Sequence, residues 1–195
     1  VYIYDYIGSS DTVVIPDKIN GIDVVYVSLD FTGNGGRPTK GLDVRQAQHL
    51  KMLQFSAKDI LFASNTSITD LRINNLSWEN GPAAIDLSPL KGLKVFETNG
   101  VIKTIKLDNP SLLSFEASKC WMDSIDFAKC KNLKRLILVP DELTINDVNL
   151  NECKLLEYVC IQNYQNGGIY ETGDDPESEW FKWDPYSVDG FEDYS

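Results

Sequence analysis

The chain has 195 residues, of which 43% are hydrophobic, and this suits one compact domain or one solenoid with a tail. The formal net charge of −11 disfavours nucleic acid and anionic membrane surfaces as partners, because such surfaces are bound by basic faces. No apolar run approaches the roughly 20 residues that a membrane-spanning helix requires.

The N-terminal segment, residues 1–41, carries the pattern of a β-hairpin and a following loop. Thr12–Ile15 is a β-branched run that favours a strand, and Val24–Val27 is a second such run. Asn20 and Gly21 lie between them and supply positive φ angles cheaply in a tight turn. The segment is therefore predicted to form a hairpin that covers one end of the structure that follows.

Residues 42–163 repeat one template of apolar positions. An aliphatic residue is followed after two positions by another apolar residue, after five or six more by Leu or Ile, and after three more by Leu, Phe or Val. The copies begin at Leu42, Ile60, Ile85, Ile105, Ile125 and Val148, with spacings of 18, 25, 20, 20 and 23 residues. Unrelated strands in an α+β domain are the alternative, and six copies of one template weigh against it.

The repeat predicts a right-handed leucine-rich-repeat solenoid of the α/β type. Its parallel β-sheet is expected to line the concave face. Ile85 and Leu93 are only eight positions apart, with Pro89 between them, so short strands or 3₁₀ turns are expected on the convex face. The inward residues predicted for the sheet are Leu50, Leu53, Phe55, Ile68, Leu71, Ile73, Leu93, Phe96, Leu112, Phe115, Leu133, Leu136, Leu138, Leu156, Val159 and Ile161.

Three segments resemble the BspA-like class of leucine-rich repeats. Phe127–Pro140 reads FAKCKNLKRLILVP, the next unit contains LNECKLLEYVCI, and the N-terminal YDYIGSSDTVVIPDKINGIDVVYV is similar to the hairpin that precedes such repeats. The resemblance implies a bacterial cell-surface or secreted protein that binds proteins or matrix. It also implies a module without enzymatic activity.

The four cysteines are interpreted as structural. Cys130 and Cys153 hold the same place in successive units and should stack as buried apolar residues, although a disulfide between them stays open. Cys120 is expected to satisfy a turn. Cys160 is expected to point outward and to be covered by the C-terminal tail. With a single histidine, His49, a zinc site is not expected.

Residues 164–195 form an acidic, aromatic tail without repeat register. Glu171–Ser195 carries nine acids and one lysine, which accounts for −8 of the net charge. A disordered acidic tail is normally poor in aromatics, so this one is predicted to fold back as a cap. The alternative is that rings such as Trp180 and Trp183 bind carbohydrate.

Catalysis is not expected, because the sequence contains no nucleophile elbow, phosphate loop or metalloprotease helix. Glu97 and Glu116 would stand about 5 Å apart on adjacent strands, a separation that a retaining glycosidase could use. Chance placement of acids on a polar face is the stronger explanation. No cofactor and no metal are predicted.

The predicted function is protein binding by the outward residues of the concave sheet, at the cell surface or outside the cell. A structural spacer or assembly module is the first alternative, and glycan binding by the tail is the second. The candidate binding residues are Gln54, Arg72, Asn74, Glu97, Asn99, Glu116, Ser118, Arg135 and Tyr158.

Overall fold

The computed structural model describes residues 1–4, 6, 10–29, 41–56, 59–62, 67–76, 84–100, 102–122, 124–140, 147–163 and 168–172. Within these ranges the chain forms β-strands joined by turns, and no helix. The helical part of the predicted α/β type is thus not seen there, because the linking segments are too short to hold one.

One long sheet runs along the molecule. Its strands are β1 (Tyr2–Ile3), β5 (Tyr26–Leu29), β7 (Met52–Phe55), β9 (Asp70–Leu76), β11 (Val95–Gly100), β13 (Ser114–Cys120), β15 (Arg135–Pro140), β17 (Tyr158–Asn163) and β18 (Gly168–Thr172). They lie side by side in this order. Neighbours are parallel except for β18, which is antiparallel to β17. The predicted parallel sheet is therefore confirmed.

Short strands form a second wall, which we call the far wall. They are β2 (Thr12–Val14), β6 (Gly41–Asp43), β8 (Asp59–Leu61), β10 (Ala84–Asp86), β12 (Thr104–Lys106), β14 (Ser124–Asp126) and β16 (Asp147–Asn149). They pair in parallel as three separate sheets, β2-β6-β8, β10-β12 and β14-β16. From β6 onward, the middle residue of each strand is the first residue of a predicted repeat unit.

The chain alternates between the two walls and advances by one strand at each turn, which makes it a parallel β-solenoid. The same hydrogen-bond arrangement recurs where each strand of the long sheet begins. The carbonyl of Lys94, for example, accepts the backbone N–H groups of both Leu113 and Ser114 at 2.8 and 3.0 Å. Equivalent paired bonds join the other successive units from Val25 to Tyr158. The solenoid predicted from the repeat is thus confirmed.

The hydrophobic core lies between the two walls. Every second residue of a strand faces it, as the period of two in a β-strand requires. Phe115 is fully buried at its centre, with its ring centroid 5.0 Å from that of Phe96 and 4.9 Å from that of Phe127. The predicted inward residues from Leu50 to Leu138 are all buried, whereas those of the last unit, Leu156, Val159 and Ile161, are half-buried.

The N-terminal segment departs from the predicted hairpin. Thr12–Val14 and Tyr26–Leu29 do not pair with each other, because one joins the far wall beside β6 and the other joins the long sheet beside β7. Only β3 (Lys18–Ile19) and β4 (Ile22–Asp23) pair as a hairpin, around Asn20 and Gly21 with φ of 52° and 82°. As a further solenoid turn, the two runs place Val13, Ile15 and Val27 in the same core as the repeat units.

This hairpin is fastened to the first predicted repeat unit by Asp17. Its Oδ1 accepts the backbone N–H of Gln48 at 2.8 Å and lies 2.9 Å from Nδ1 of His49. The hydrogen bond with His49 lowers the pKa of Asp17. His49 is exposed, and its ring makes this contact.

Candidate binding face

The side of the long sheet that faces away from the core presents two rows of side chains, which we call the ladder face. The first row, set by strand register, is Tyr26, Met52, Asp70, Val95, Ser114, Arg135 and Tyr158. The second row is Ser28, Gln54, Arg72, Glu97, Glu116, Ile137 and Cys160. Alternate residues of the same strands fill the core, so both rows point outward.

Two ion pairs between neighbouring strands occupy the centre of the ladder face. Nη2 of Arg72 lies 3.2 Å from Oε1 of Glu97, its register partner on the next strand. Nη1 of Arg135 on β15 donates to Oε2 of Glu116 on β13 at 3.0 Å, and the two residues are diagonal neighbours in the sheet. The two glutamates are register partners, and each is paired with an arginine on its other side. The four charges therefore cancel locally.

The two ion pairs differ in burial. The side chains of Arg72 and Glu97 are 21% and 23% exposed, while that of Arg135 is 4% exposed and that of Glu116 31%. The first row is also mostly covered, since Met52, Ser114 and Tyr158 are buried although they point outward. Most of the first row is thus covered, whereas the second row remains reachable from solvent.

The structure brings most of the predicted binding residues together. Gln54, Arg72, Glu97 and Glu116 form one continuous row. Arg135 and Tyr158 are register partners in the first row. Asn99 and Ser118 are register partners beyond the second row, farther along the strands. Asn74 lies on β9, where the register shifts, and its side chain lies outside the described part of the structure.

Sequence reasoning missed an aromatic cluster at the N-terminal end of the ladder face. The ring centroid of Tyr26 lies 5.5 Å from that of Tyr2 and 5.6 Å from that of Tyr4. Tyr26 is buried, and Tyr4 is the most exposed of the three. Tyrosines at alternate positions just before the first turn were a usable signal, because alternate residues of a strand share a face.

The cysteines are free thiols. Cys120, Cys130 and Cys153 are buried, and burial raises the pKa of Cys120 and of Cys130 to about 11. At neutral pH these two therefore carry protonated, unreactive thiols. Sγ of Cys153 donates to the carbonyls of Phe127 and Cys130 at 3.5 and 3.6 Å. Cys160 is half-buried and in register with Glu171 of β18.

The described residues contain no group of three or more His, Cys, Asp or Glu side chains that could hold a metal ion. Glu97 and Glu116, the pair considered for glycosidase chemistry, are both engaged by arginines. The tail aromatics Trp180 and Trp183, considered for carbohydrate, lie outside the described residues.

No protein-family profile, curated protein or solved structure matches the chain. Within the described ranges, no helix is long and apolar enough to cross a membrane.

Proposed function

We propose that the chain is a non-enzymatic binding module, a leucine-rich-repeat solenoid of the BspA-like class, that holds a protein partner on the ladder face. The sequence resemblance supports the class, together with the recurring units of 18–25 residues and their buried leucines. The same resemblance supports a location at the cell surface or outside the cell.

The main support for a protein partner is the amino-acid composition of the ladder face. Its two rows hold two of the four arginines of the chain and none of the fourteen lysines, while the large side chains of Tyr26, Met52 and Tyr158 in the first row are buried. Protein interfaces are enriched in arginine and depleted in lysine relative to the rest of a protein surface. The lysines of the described chain lie elsewhere, many of them in the turns between the walls.

The paired charges favour the same function. A partner that covers Arg72 and Glu97 displaces water from charges that already neutralise each other, so the desolvation cost is smaller than for an isolated charge. The strands also hold these side chains in a fixed register, which reduces the entropy lost on binding. A protein surface with polar groups at its centre and apolar groups at its edges would match this layout.

The test compares two double variants in affinity capture from extracts and culture medium of the producing cells. Gln54→Trp with Asn99→Trp adds bulk on the ladder face and directly beside it, and Thr104→Trp with Ser124→Trp adds the same bulk to exposed far-wall positions. We expect proteins captured by the wild type and by the far-wall variant to be lost with the ladder variant. A partner that the ladder variant retains in full would contradict the proposal.

An assembly role is the alternative that the same samples can address. Light scattering across a range of concentrations would reveal self-association of the wild type. If the ladder variant abolished that association, the partner on the ladder face would be a second copy of the chain. If the association persisted in the ladder variant and no other protein were captured, the spacer function would replace the proposed one.

A further inference from the structure

The far wall opens between β8 and β10, while the long sheet behind it stays closed. β7, β9 and β11, which follow the same turns, pair continuously. On the far wall β8 pairs only with β6, and β10 only with β12. The two walls therefore diverge at this point, and a wedge separates the facing edges of β8 and β10.

Backbone groups of both strands point into this wedge. In a parallel ladder, alternate residues hydrogen-bond to opposite sides. The carbonyl of Leu61 accepts the N–H of Val44 from the preceding strand, so Ile60 and Phe62 direct their backbone groups to the other side. By the same alternation Ala84 and Asp86 direct theirs from β10 toward β8, and no backbone hydrogen bond among the described residues joins the two strands.

A cavity of about 420 Å³ fills the wedge. Its lining residues are Asp59, Ile60, Leu61, Phe62, Ala84, Ile85, Asp86 and Pro89. Ile60 and Phe62 are only half-buried there, whereas Leu42 and Val44, their counterparts in the preceding unit, are 1% and 0% exposed. Core side chains are thus left partly uncovered where the strand ladder is interrupted.

We propose that this wedge is a second binding site, on the wall opposite the ladder face, which takes an extended peptide segment of alternating apolar and basic residues. The segment adds as a parallel strand between β8 and β10, and its backbone satisfies the groups that both edges present. Its apolar side chains cover Ile60 and Phe62. Since β8 and β10 are three residues long, a short segment suffices.

The negative charges at the edge of the cavity favour basic residues in the bound peptide. Asp59 and Asp86 are both exposed at the edge of the cavity. The far wall already shows how such an acid is matched, because Nζ of Lys106 donates to Oδ2 of Asp86 at 2.9 Å across the β10–β12 pair. A lysine or arginine of an inserted strand would stand beside Asp59 in the same manner.

The chain supplies its own probe for this site. Residues 101–107, VIKTIKL, contain the far-wall strand β12, which pairs in parallel with β10 and carries two lysines. A fluorescent, end-blocked peptide of this sequence is titrated with the full chain, and its anisotropy is measured. The control is the same peptide with the Ile105→Pro change, which removes the central N–H.

Two variants locate the binding. Ala84→Pro removes an N–H that faces the wedge and spares the bonds to β12, and we expect about tenfold weaker peptide binding. Ser124→Pro is the matched control, because it makes the same change at the exposed start of β14, which does not line this cavity, and its affinity should equal that of the wild type. Asp59→Lys should also weaken binding about tenfold, and it needs no backbone change.

The outcomes separate this site from the ladder face. The ladder variant Gln54→Trp with Asn99→Trp should bind the peptide like the wild type, whatever happens to its protein partner. Equal affinity for the peptide and its proline control would overturn the proposal. So would retained binding in both Ala84→Pro and Asp59→Lys.

Discussion

At the scale of the residue, one buried polar side chain shows how successive units are joined. Asn109 is fully buried, and its Nδ2 donates to the carbonyls of Leu87 and Leu90 in the preceding unit, both at 2.8 Å. Cys153 makes the corresponding contacts to Phe127 and Cys130 in a later unit. The turn carbonyls, which already accept backbone N–H groups of their own unit, thus gain a second donor from the next unit.

Replacing Asn109 tests this function of the side chain. Asn109→Leu removes two hydrogen bonds but leaves each carbonyl with its backbone donor, and we expect the free energy of unfolding to fall by about 1–3 kcal/mol. Asn109→Cys should restore part of the loss, because a thiol serves at Cys153. Urea denaturation measures both. Asn132→Leu, which removes an exposed bond to the carbonyl of Pro110, is the control and should cost under about 1 kcal/mol.

At the scale of the element, the strands of the long sheet are linked by side chains as well as by their backbones. The Arg72–Glu97 pair joins β9 to β11, and the Arg135–Glu116 pair joins β15 to β13. Arg135 is almost completely buried, so its charge is far less hydrated than that of Arg72. A buried charge depends on its partner more than a partly solvated one does.

The two glutamates should therefore differ when each is neutralised. Glu116→Gln is expected to lower the free energy of unfolding by about 1–3 kcal/mol, since it weakens the hydrogen bond to a buried guanidinium. Glu97→Gln should cost less than about 1 kcal/mol, because water screens its pair. Chemical denaturation of the two single variants gives the free energies of unfolding to be compared. Equal losses would show that burial of Arg135 does not set the strength of its pair.

At the scale of the whole molecule, stability should decline from the middle of the solenoid toward its C-terminal end. Each unit of a solenoid is covered by its neighbours, so the terminal layer has fewer contacts. Leu133 and Leu156 occupy the same position in successive units, and Leu133 is fully buried whereas Leu156 is half-buried. β18 extends the edge of the last turn through its backbone.

Alanine substitution at these two positions measures the gradient. Leu133→Ala should destabilise the chain by about 3 kcal/mol, which reflects the loss of a buried side chain and the cavity left behind. Leu156→Ala should cost about 1–2 kcal/mol, because its side chain is already partly hydrated. Thermal and urea denaturation of both variants provide the comparison. A larger loss for Leu156→Ala would mean that the last unit is as well packed as the interior.

The sequence by itself determined the repeated turn and its inward face. Spaced apolar residues such as Leu133, Leu136 and Leu138 need a common core, and units of about 20 residues can build one only by stacking. The same alternation placed Gln54, Arg72 and the other candidate residues on the outward side. These features depend on local periodicity, which is visible in a single unit.

Only the tertiary structure decided what depends on the neighbouring unit. Pairing of Arg135 with Glu116 on the diagonal, while Arg72 pairs directly across, depends on side-chain directions on different strands. Thr12–Val14 pairs with β6 and not with Tyr26–Leu29, the partner predicted for it in a hairpin. This choice depends on the apolar core that the first repeat units expose at the end of the solenoid. The open wedge between β8 and β10 likewise reflects how two turns of unequal length stack. The sequence of one unit alone does not determine this stacking.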